Sequence, residues 1–258
     1  MEHKYKQPTR PFFARQGGKT KLSKFIVSKL PTGYENMIYV EPFVGGGSIF
    51  FRKKTSKKEV INDLDKDIYN MFIDMKSVGD KIQHMDFNNI SRSEFNRLKN
   101  KKSFNNKKAR LYRNLILSKW SFSGTRKTYI GEKSASSYRF TKVGAFIKKR
   151  ALDYKMRLKD VKIHKQDFST IIKKYDSPNT IFYLDPPYSY SYKDYSNWVS
   201  PVKVYNTLKN IKGKFLLSYD NSKDVKDLFH NYKIIKVNTI YEVSGKRQSV
   251  KEILIKNF

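Results

Sequence analysis

The first candidate for chemistry is a run of four residues late in the chain, Asp185, Pro186, Pro187 and Tyr188. It directly follows the apolar stretch 180–184, which has the length and composition of a buried strand. Open α/β folds bind ligands at the loops that follow such strands. A carboxylate and a proline carbonyl there would each accept one hydrogen of an exocyclic amine such as the 6-amino group of adenine. The two prolines would stiffen the loop. An aromatic ring next to them offers a face on which a flipped base stacks.

A second candidate is the glycine run at Gly45, Gly46 and Gly47, which lies between a strand-like segment and the start of a helix. Glycines in this position let the backbone approach a ligand at a helix N-terminus. Asp63 ends the next predicted strand, about twenty residues on, where an acidic residue is placed to bind ribose hydroxyls. The third glycine of the dinucleotide fingerprint would fall on Phe50. The glycine run alone therefore does not identify the ligand.

Charge is the dominant feature of the composition. The 258 residues include 54 Lys and Arg against 23 Asp and Glu, a net charge of +31. Between residues 92 and 159 there are 21 basic and only 3 acidic residues. A positive field of this kind favours a polyanionic partner such as nucleic acid. Codon drift in an AT-rich genome would also raise the lysine content, but it would not concentrate the charge in one stretch.

Two kinds of segment must position these residues. Strand and helix patterns alternate near both ends of the chain, and a basic, mostly helical stretch lies between them. We expect a catalytic domain formed by 1–76 and 160–258, and an inserted target-recognition domain at 77–159. Cysteine is absent and the four histidines are scattered, so no metal site is predicted. No signal peptide or membrane-spanning stretch is visible, and we expect a cytoplasmic protein of a bacterium, phage or virus.

Several segments, in the same order along the chain, resemble the Dam-type (DPPY, class alpha) DNA adenine-N6 methyltransferases. The similar segments are RPFF at 10–13 with GGK at 17–19, YVEPFVGGGSIF at 39–50, INDL at 61–64, QDF at 166–168, FYLDPPY at 182–188 and EILIKN at 252–257. Their common order makes the resemblance more specific than any one motif. It implies an α/β fold of the Rossmann-like S-adenosylmethionine-dependent methyltransferase type, with a mixed seven-stranded sheet and an inserted, mainly helical target-recognition domain.

The resemblance also implies roles for individual residues toward S-adenosylmethionine. Gly17 and Lys19 would line its methionine end, Asp63 would hold its ribose, and Asp167 and Phe168 would meet its adenine ring. The predicted cofactor loop comprises Pro42, Phe43, Gly45 and Gly47. Asp185, Pro186, Pro187 and Tyr188 would form the catalytic loop.

The DNA contacts are predicted in two places. In the basic middle, the turn with Phe122 and Ser123 corresponds to a DNA-contacting turn of the family, with serine in place of the family's asparagine, and Arg126 lies nearby. An arginine there is suited to bidentate contact with guanine, and the phenylalanine to filling the stack. Lys246 and Arg247 are candidates for phosphate contacts. The alternatives are a solvated basic helical face in the middle and an ordinary hairpin tip near the C-terminus.

The function expected is methyl transfer from S-adenosylmethionine to a flipped adenine in double-stranded DNA, as in restriction-modification systems, without a metal. Two alternatives stay open. The first is methylation of another amine, on cytosine N4, RNA or protein, by the same loop. The second is a basic DNA-binding protein on a relict methyltransferase fold. The oligomeric state is not determined by the sequence, and a homodimer on palindromic DNA is one arrangement.

Overall fold

A computed structural model defines most of the chain. It describes residues 4–15, 17–87, 90–101, 103–104, 106–121, 124–130, 135–187, 198–243 and 246–258, with the exception of the side chains of 135–144, 147, 238–243 and 246–251. Two compact units are present. The first unit contains 1–20, 45–53 and 66–163, and the second contains 21–44, 54–65 and 164–258. Each unit is thus assembled from three separated stretches of sequence.

A seven-stranded mixed sheet organises the second unit. Its strands are β1 (Ile38–Glu41), β2 (Lys58–Asn62), β3 (Lys162–His164, at the boundary of the units in sequence), β4 (Thr180–Leu184), β5 (Lys214–Asp220), β6 (Lys233–Val243) and β7 (Lys246–Lys256). They are arranged in the order β3-β2-β1-β4-β5-β7-β6. β1 runs parallel to β2 and β4, and β4 runs parallel to β5. β7 is antiparallel to both β5 and β6. The mixed sheet implied by the resemblance is confirmed.

The central strands are rich in β-branched and aromatic residues because the sheet is buried. All five residues of β4 are buried. One face of the sheet contributes Val40, Phe182 and Leu217 to an apolar core. That core is completed by side chains of three helices of the same unit. The helices of the second unit are α1 (Ser23–Val27), α7 (Phe168–Tyr175), α8 (Pro201–Leu208) and α9 (Lys223–Leu228).

The first unit is helical. Its helices are α2 (Ser48–Arg52), α3 (Lys66–Val78), α4 (Arg92–Asn100), α5 (Lys107–Lys119) and α6 (Ala135–Leu158). Phe12, Phe51, Phe72 and Tyr154 pack together with ring centroids 5.3 to 6.2 Å apart. Aromatic rings bury large apolar areas, so this cluster ties the N-terminal segment to three helices. Among the described residues, no helix is long and apolar enough to span a membrane.

Three local features differ from what residue types alone suggest. Ser48 has the side chain of a helix N-cap, but the N-cap of α2 is Gly47 and Ser48 is the first helical residue. The segment 242–249 is polar like a loop, yet β6 extends to Val243 and β7 starts at Lys246. β3 has only three residues and no apolar run, so its sequence gave no strand signal. The proposed boundary of an inserted domain at 77–159 stays a prediction.

Candidate active site

Three candidate loops begin at one edge of the sheet. β1, β2 and β4 are parallel and adjacent, with Val40 paired to both Val60 and Phe182. Their carboxyl ends therefore lie side by side. Pro42 follows β1, Asp63 follows β2 at its Asn62 end, and Asp185 follows β4. Within the second unit, the sheet thus brings Pro42, Asp63 and Asp185 to a common edge, where open α/β folds bind ligands.

Asn62 connects two of these loops to the segment after β3. Its amide Nδ2 donates to the carbonyl oxygens of Pro42 and Gln166, each at 2.9 Å. Its Oδ1 accepts from the Gln166 backbone N–H, also at 2.9 Å, and its own carbonyl accepts from Val44 N–H. The side chain is 1% exposed. Buried polar groups satisfied in this way fix a unique arrangement. Sequence reasoning missed this residue, because an asparagine at the end of a strand is also an ordinary turn residue.

Asp63 is held in a local turn. Its Oδ1 accepts a hydrogen bond from the backbone N–H of Asp65 at 3.0 Å, and its own N–H donates to the His164 carbonyl at 3.3 Å. The first contact closes an Asx-turn, which orients the carboxylate relative to the strand that it follows. Asp63 is partly exposed. A carboxylate fixed in this manner at the end of β2 suits the hydroxyls of a ribose.

Aromatic and acidic side chains adjoin each other at the start of α7. The rings of Phe43 and Phe168 are 5.0 Å apart and tilted by 34°. Asp167 caps the helix, with Oδ1 accepting from the Ser169 N–H at 2.9 Å. Partial burial acts to raise the pKa of Asp167, but hydrogen bonds from Lys203 and Ser169 outweigh it and lower the pKa overall. The carboxylate is therefore ionised at neutral pH, and an ionised carboxylate accepts hydrogen bonds from an adenine amine.

The catalytic candidates follow β4 directly. Leu184 is fully buried, Pro186 is buried, and Asp185 and Pro187 are partly exposed. The chain thus leaves the core at Asp185, and the buried Pro186 that follows restricts the backbone next to it. Tyr188 lies outside the described residues, and its stacking role stays a prediction.

The glycine loop and the Gly-Gly-Lys segment belong to the first unit. Gly47 has a φ of +77°, and a Cβ there would lie 3.1 Å from the Phe51 ring and 3.2 Å from the Phe72 ring. Glycine is required for both conformation and space. Gly17 also adopts a left-handed conformation, at a φ of +76°, and Lys19 is 5% exposed with Nζ 3.4 Å from the Gly17 carbonyl oxygen. A buried ammonium beside tightly turned backbone suits an anionic group such as a carboxylate.

Only one of the five DNA-contact candidates has a described side chain. Phe122 and Ser123 lie outside the described residues, as do the side chains of Lys246 and Arg247. Arg126 adopts a left-handed backbone conformation at a φ of +65°.

The guanidinium of Arg126 meets a carboxylate. Its Nη1 donates to Oδ2 of Asp67 at 2.9 Å, and Nη1 of Arg113 approaches the same oxygen at 3.3 Å. The Arg126 side chain is 12% exposed. Contact of Arg126 with DNA stays a prediction, and in this structure the side chain is engaged within the protein.

The comparisons with known proteins identify the class of enzyme. The family model for D12 class N6 adenine-specific DNA methyltransferases matches residues 16–243, and the chain belongs to this family. It is an S-adenosylmethionine-dependent DNA adenine-N6 methyltransferase. Within the described part of the chain, no group of three or more His, Asp or Glu residues is arranged to hold a metal ion.

Two curated relatives match nearly the whole chain. The type II methyltransferase M.MjaIII of Methanocaldococcus jannaschii is 27% identical over 96% of this chain and 99% of its own length. The type II methyltransferase M1.LlaDCHI of Lactococcus lactis subsp. cremoris is 24% identical over 96% and 95%. A solved precorrin-6y C5,15-methyltransferase from Geobacter metallireducens gives a TM-score of 0.41 at 7% identity, covering 98% of both chains. So distant a structural likeness adds nothing to the family assignment.

The residues present fit S-adenosylmethionine. In the second unit, Asp63, the residue predicted to hold a ribose, and Asp167 with Phe168, an ionised acceptor with an aromatic neighbour, follow strands at the carboxyl edge of the sheet. Asn62 fixes the loops that carry the flanking residues. A nucleoside needs hydroxyl acceptors, an amine acceptor and an apolar surface, and this edge supplies each of them.

Proposed function

We propose that the chain methylates N6 of an adenine flipped out of double-stranded DNA, with Asp185 and the Pro186 carbonyl as acceptors for the two amine hydrogens. The observation that carries this proposal is the position of Asp185. It is the first residue after a fully buried parallel strand, at the sheet edge where Pro42 and Asp63 also follow their strands. The family assignment supports methyl transfer to an adenine amine, and the position of Asp185 at the end of β4 supports its proposed part in it.

Bound S-adenosylmethionine supplies a methyl group already activated by its sulfonium, so this chain needs no nucleophile of its own. The residues that would hold it in the second unit are Pro42, Phe43, Asp63, Asp167 and Phe168. Gly17, Lys19, Gly45 and Gly47 are the residues proposed for it in the first unit. Their contribution is to bind and orient, which places reacting atoms in a near-attack geometry.

The work of Asp185 is to change the electronic state of the amine. The lone pair of an adenine amine is delocalised into the ring, which makes the nitrogen a poor nucleophile. A carboxylate and a carbonyl that accept its two hydrogens favour a tetrahedral nitrogen with a localised lone pair. Preorganised acceptors of this kind stabilise charge as it develops. Tyr188 is proposed to stack on the flipped base.

Double-stranded DNA is the proposed form of the substrate. The basic stretch at 92–159 supports this, because binding to a duplex backbone releases condensed counterions. The curated relatives are type II methyltransferases, which supports methylation at a short specific site in a restriction-modification setting. Base readout is proposed to involve the segment containing Phe122, Ser123 and Arg126. Lys246 and Arg247 are proposed phosphate contacts.

The proposed function is tested by incubating the purified protein with labelled S-adenosylmethionine and unmethylated duplex DNA, followed by digestion to nucleosides. The expected product is labelled N6-methyldeoxyadenosine. Label in N4-methyldeoxycytidine would identify cytosine as the target instead of adenine. Label only when RNA or protein is supplied would identify that molecule as the substrate. Absence of both cofactor binding and label would point instead to a DNA-binding protein on a relict fold.

A further inference from the structure

Lys203 occupies a position that the family resemblance did not single out. It is the third residue of α8, the helix that begins at Pro201. Its Nζ donates to Oδ2 of Asp167 at 2.8 Å and lies 5.1 Å from the centroid of the Phe168 ring. One lysine therefore contacts both residues that are proposed to meet the cofactor adenine.

The two oxygens of Asp167 have different surroundings. Oδ1 is engaged at the start of α7, where it accepts from both the backbone N–H and the hydroxyl of Ser169. Oδ2 points the other way and receives the Lys203 ammonium. A carboxylate oxygen has two acceptor sites, so Oδ2 can accept from Lys203 and from a second donor. This oxygen is the acceptor open to a ligand amine.

The Lys203 ammonium also contacts the ring of Phe168, and this second contact helps to fix its position. The Phe168 ring contacts Phe43 at 5.0 Å, and the Lys203 ammonium lies over it at 5.1 Å. Phe168 is 3% exposed. A cation held both by a carboxylate and by a ring face occupies one place, because each contact is directional.

We infer that Lys203 is a positioning residue for the adenine of the cofactor, which aims Oδ2 of Asp167 at the 6-amino group and thereby selects a 6-amino over a 6-oxo purine. The inference rests on the proposed function, since it takes Asp167 and Phe168 as the adenine subsite. The ammonium fixes the direction of the carboxylate. The contribution inferred for Lys203 is the orientation of this carboxylate, because its ammonium holds Oδ2 while Ser169 holds Oδ1.

The main test measures cofactor binding directly by titration calorimetry on the full-length protein. Lys203→Met keeps the aliphatic stem and removes the charge, Lys203→Arg keeps a donor, and Lys209→Met changes an exposed lysine at the end of the same helix. We expect Lys203→Met to raise the Kd for S-adenosylhomocysteine about fivefold, the scale of an exposed ion pair. Lys203→Arg and Lys209→Met should remain within about twofold of the wild type.

Two further measurements separate positioning from general stabilisation. S-inosylhomocysteine carries a 6-oxo group, so Lys203→Met should change its Kd by less than about twofold. In an Asp167→Asn background, Lys203→Met should have no further effect, because the residue through which it acts is altered. In turnover assays, the KM for S-adenosylmethionine should rise while kcat is retained. The unfolding temperature without ligand should match that of Lys209→Met.

Equal Kd values for Lys203→Met and Lys209→Met would overturn the inference. So would a loss of the same size for the 6-amino and 6-oxo ligands, or one that persists undiminished with Asp167→Asn. Wild-type protein that binds neither S-adenosylmethionine nor S-adenosylhomocysteine would overturn the proposed cofactor site, and the role of Lys203 with it. That result is distinct, since it appears before any variant is compared.

Discussion

The two compact units hold their candidate functional residues by different means. In the second unit, a single buried asparagine joins the loops at the sheet edge through hydrogen bonds to their backbone. In the first unit, basic side chains are held by a small number of carboxylates. Asp74 is fully buried and binds Arg110 at 2.6 Å, while Asp67 meets both Arg113 and Arg126.

Under the proposed function, the difference reflects what these two sets of residues would bind. A cofactor loop must present fixed backbone and neutral dipoles, which buried hydrogen bonds supply. A DNA-binding region must keep excess positive charge. The arginines that pack within the protein nevertheless need carboxylate partners. Between residues 92 and 159, Glu94 pairs with Arg97 and Asp153 with Arg150. These acids neutralise neighbouring arginines, and the surplus charge of the stretch remains for a polyanion.

Breaking the hydrogen-bonded centre of the second unit should have the largest effect on stability. Asn62→Leu keeps the branched shape of the side chain but removes the donor to the carbonyls of Pro42 and Gln166, and the first of these bonds is buried. We expect the free energy of unfolding to fall by about 3 kcal/mol. The Kd for S-adenosylmethionine should rise at least about tenfold. Chemical denaturation and calorimetry measure the two quantities.

The matched control is Asn206→Leu, on the exposed surface of α8. It should change the free energy of unfolding by less than about 0.5 kcal/mol. Equal effects of the two substitutions would show that the loops are held by other contacts.

In the first unit, Lys119 provides a test of how a buried cation affects stability. It ends α5, and burial lowers its pKa to about 8. A lowered lysine pKa means that the folded state binds fewer protons than the unfolded chain between about pH 8 and 10.5. Stability from this group therefore rises with pH across that window. Lys119→Met should raise the free energy of unfolding by about 2 kcal/mol at pH 7, and the gain should disappear toward pH 10.5.

Denaturation curves at several pH values test this expectation, with Lys108→Met as the exposed control on the same helix. A gain that does not depend on pH would mean that lost charge at Lys119 is not its cause.

The smallest effect is expected for the ion pair of Asp67. Asp67→Asn removes the ion pair with Arg126 and adds one positive charge to the unit. Duplex DNA should bind about threefold more tightly, with a steeper dependence on salt. Asp160→Asn makes the same change of charge at an exposed site of the same unit and should have less effect. Weaker binding by Asp67→Asn would show instead that the pair builds the DNA-binding surface.

The chain's local patterns predicted the positions of the candidate loops. β4 occupies the residues expected from its apolar run, and the motifs at Asp63 and Asp185 follow strands as predicted. Such features depend on neighbours in sequence, where strand periodicity and turn residues are informative.

The contacts between distant residues were not predictable. Asn62 and Gln166 are 104 positions apart, Asp67 and Arg126 are 59 apart, and Asp167 and Lys203 are 36 apart. Each pair consists of residue types that are common on surfaces and in turns. Only the strand order and the helix packing bring them together, and no local pattern specifies a partner.

The most direct test of the central claim is the single-turnover rate of methyl transfer to duplex DNA for Asp185→Ala, with the exposed Asp224→Ala as the control. Asp185 is proposed to act on the amine alone, so the rate should fall about 1000-fold or more while the Kd for S-adenosylmethionine stays within about twofold. Asp224→Ala should match the wild type. A rate for Asp185→Ala within about tenfold of the wild type would contradict the catalytic role of this residue.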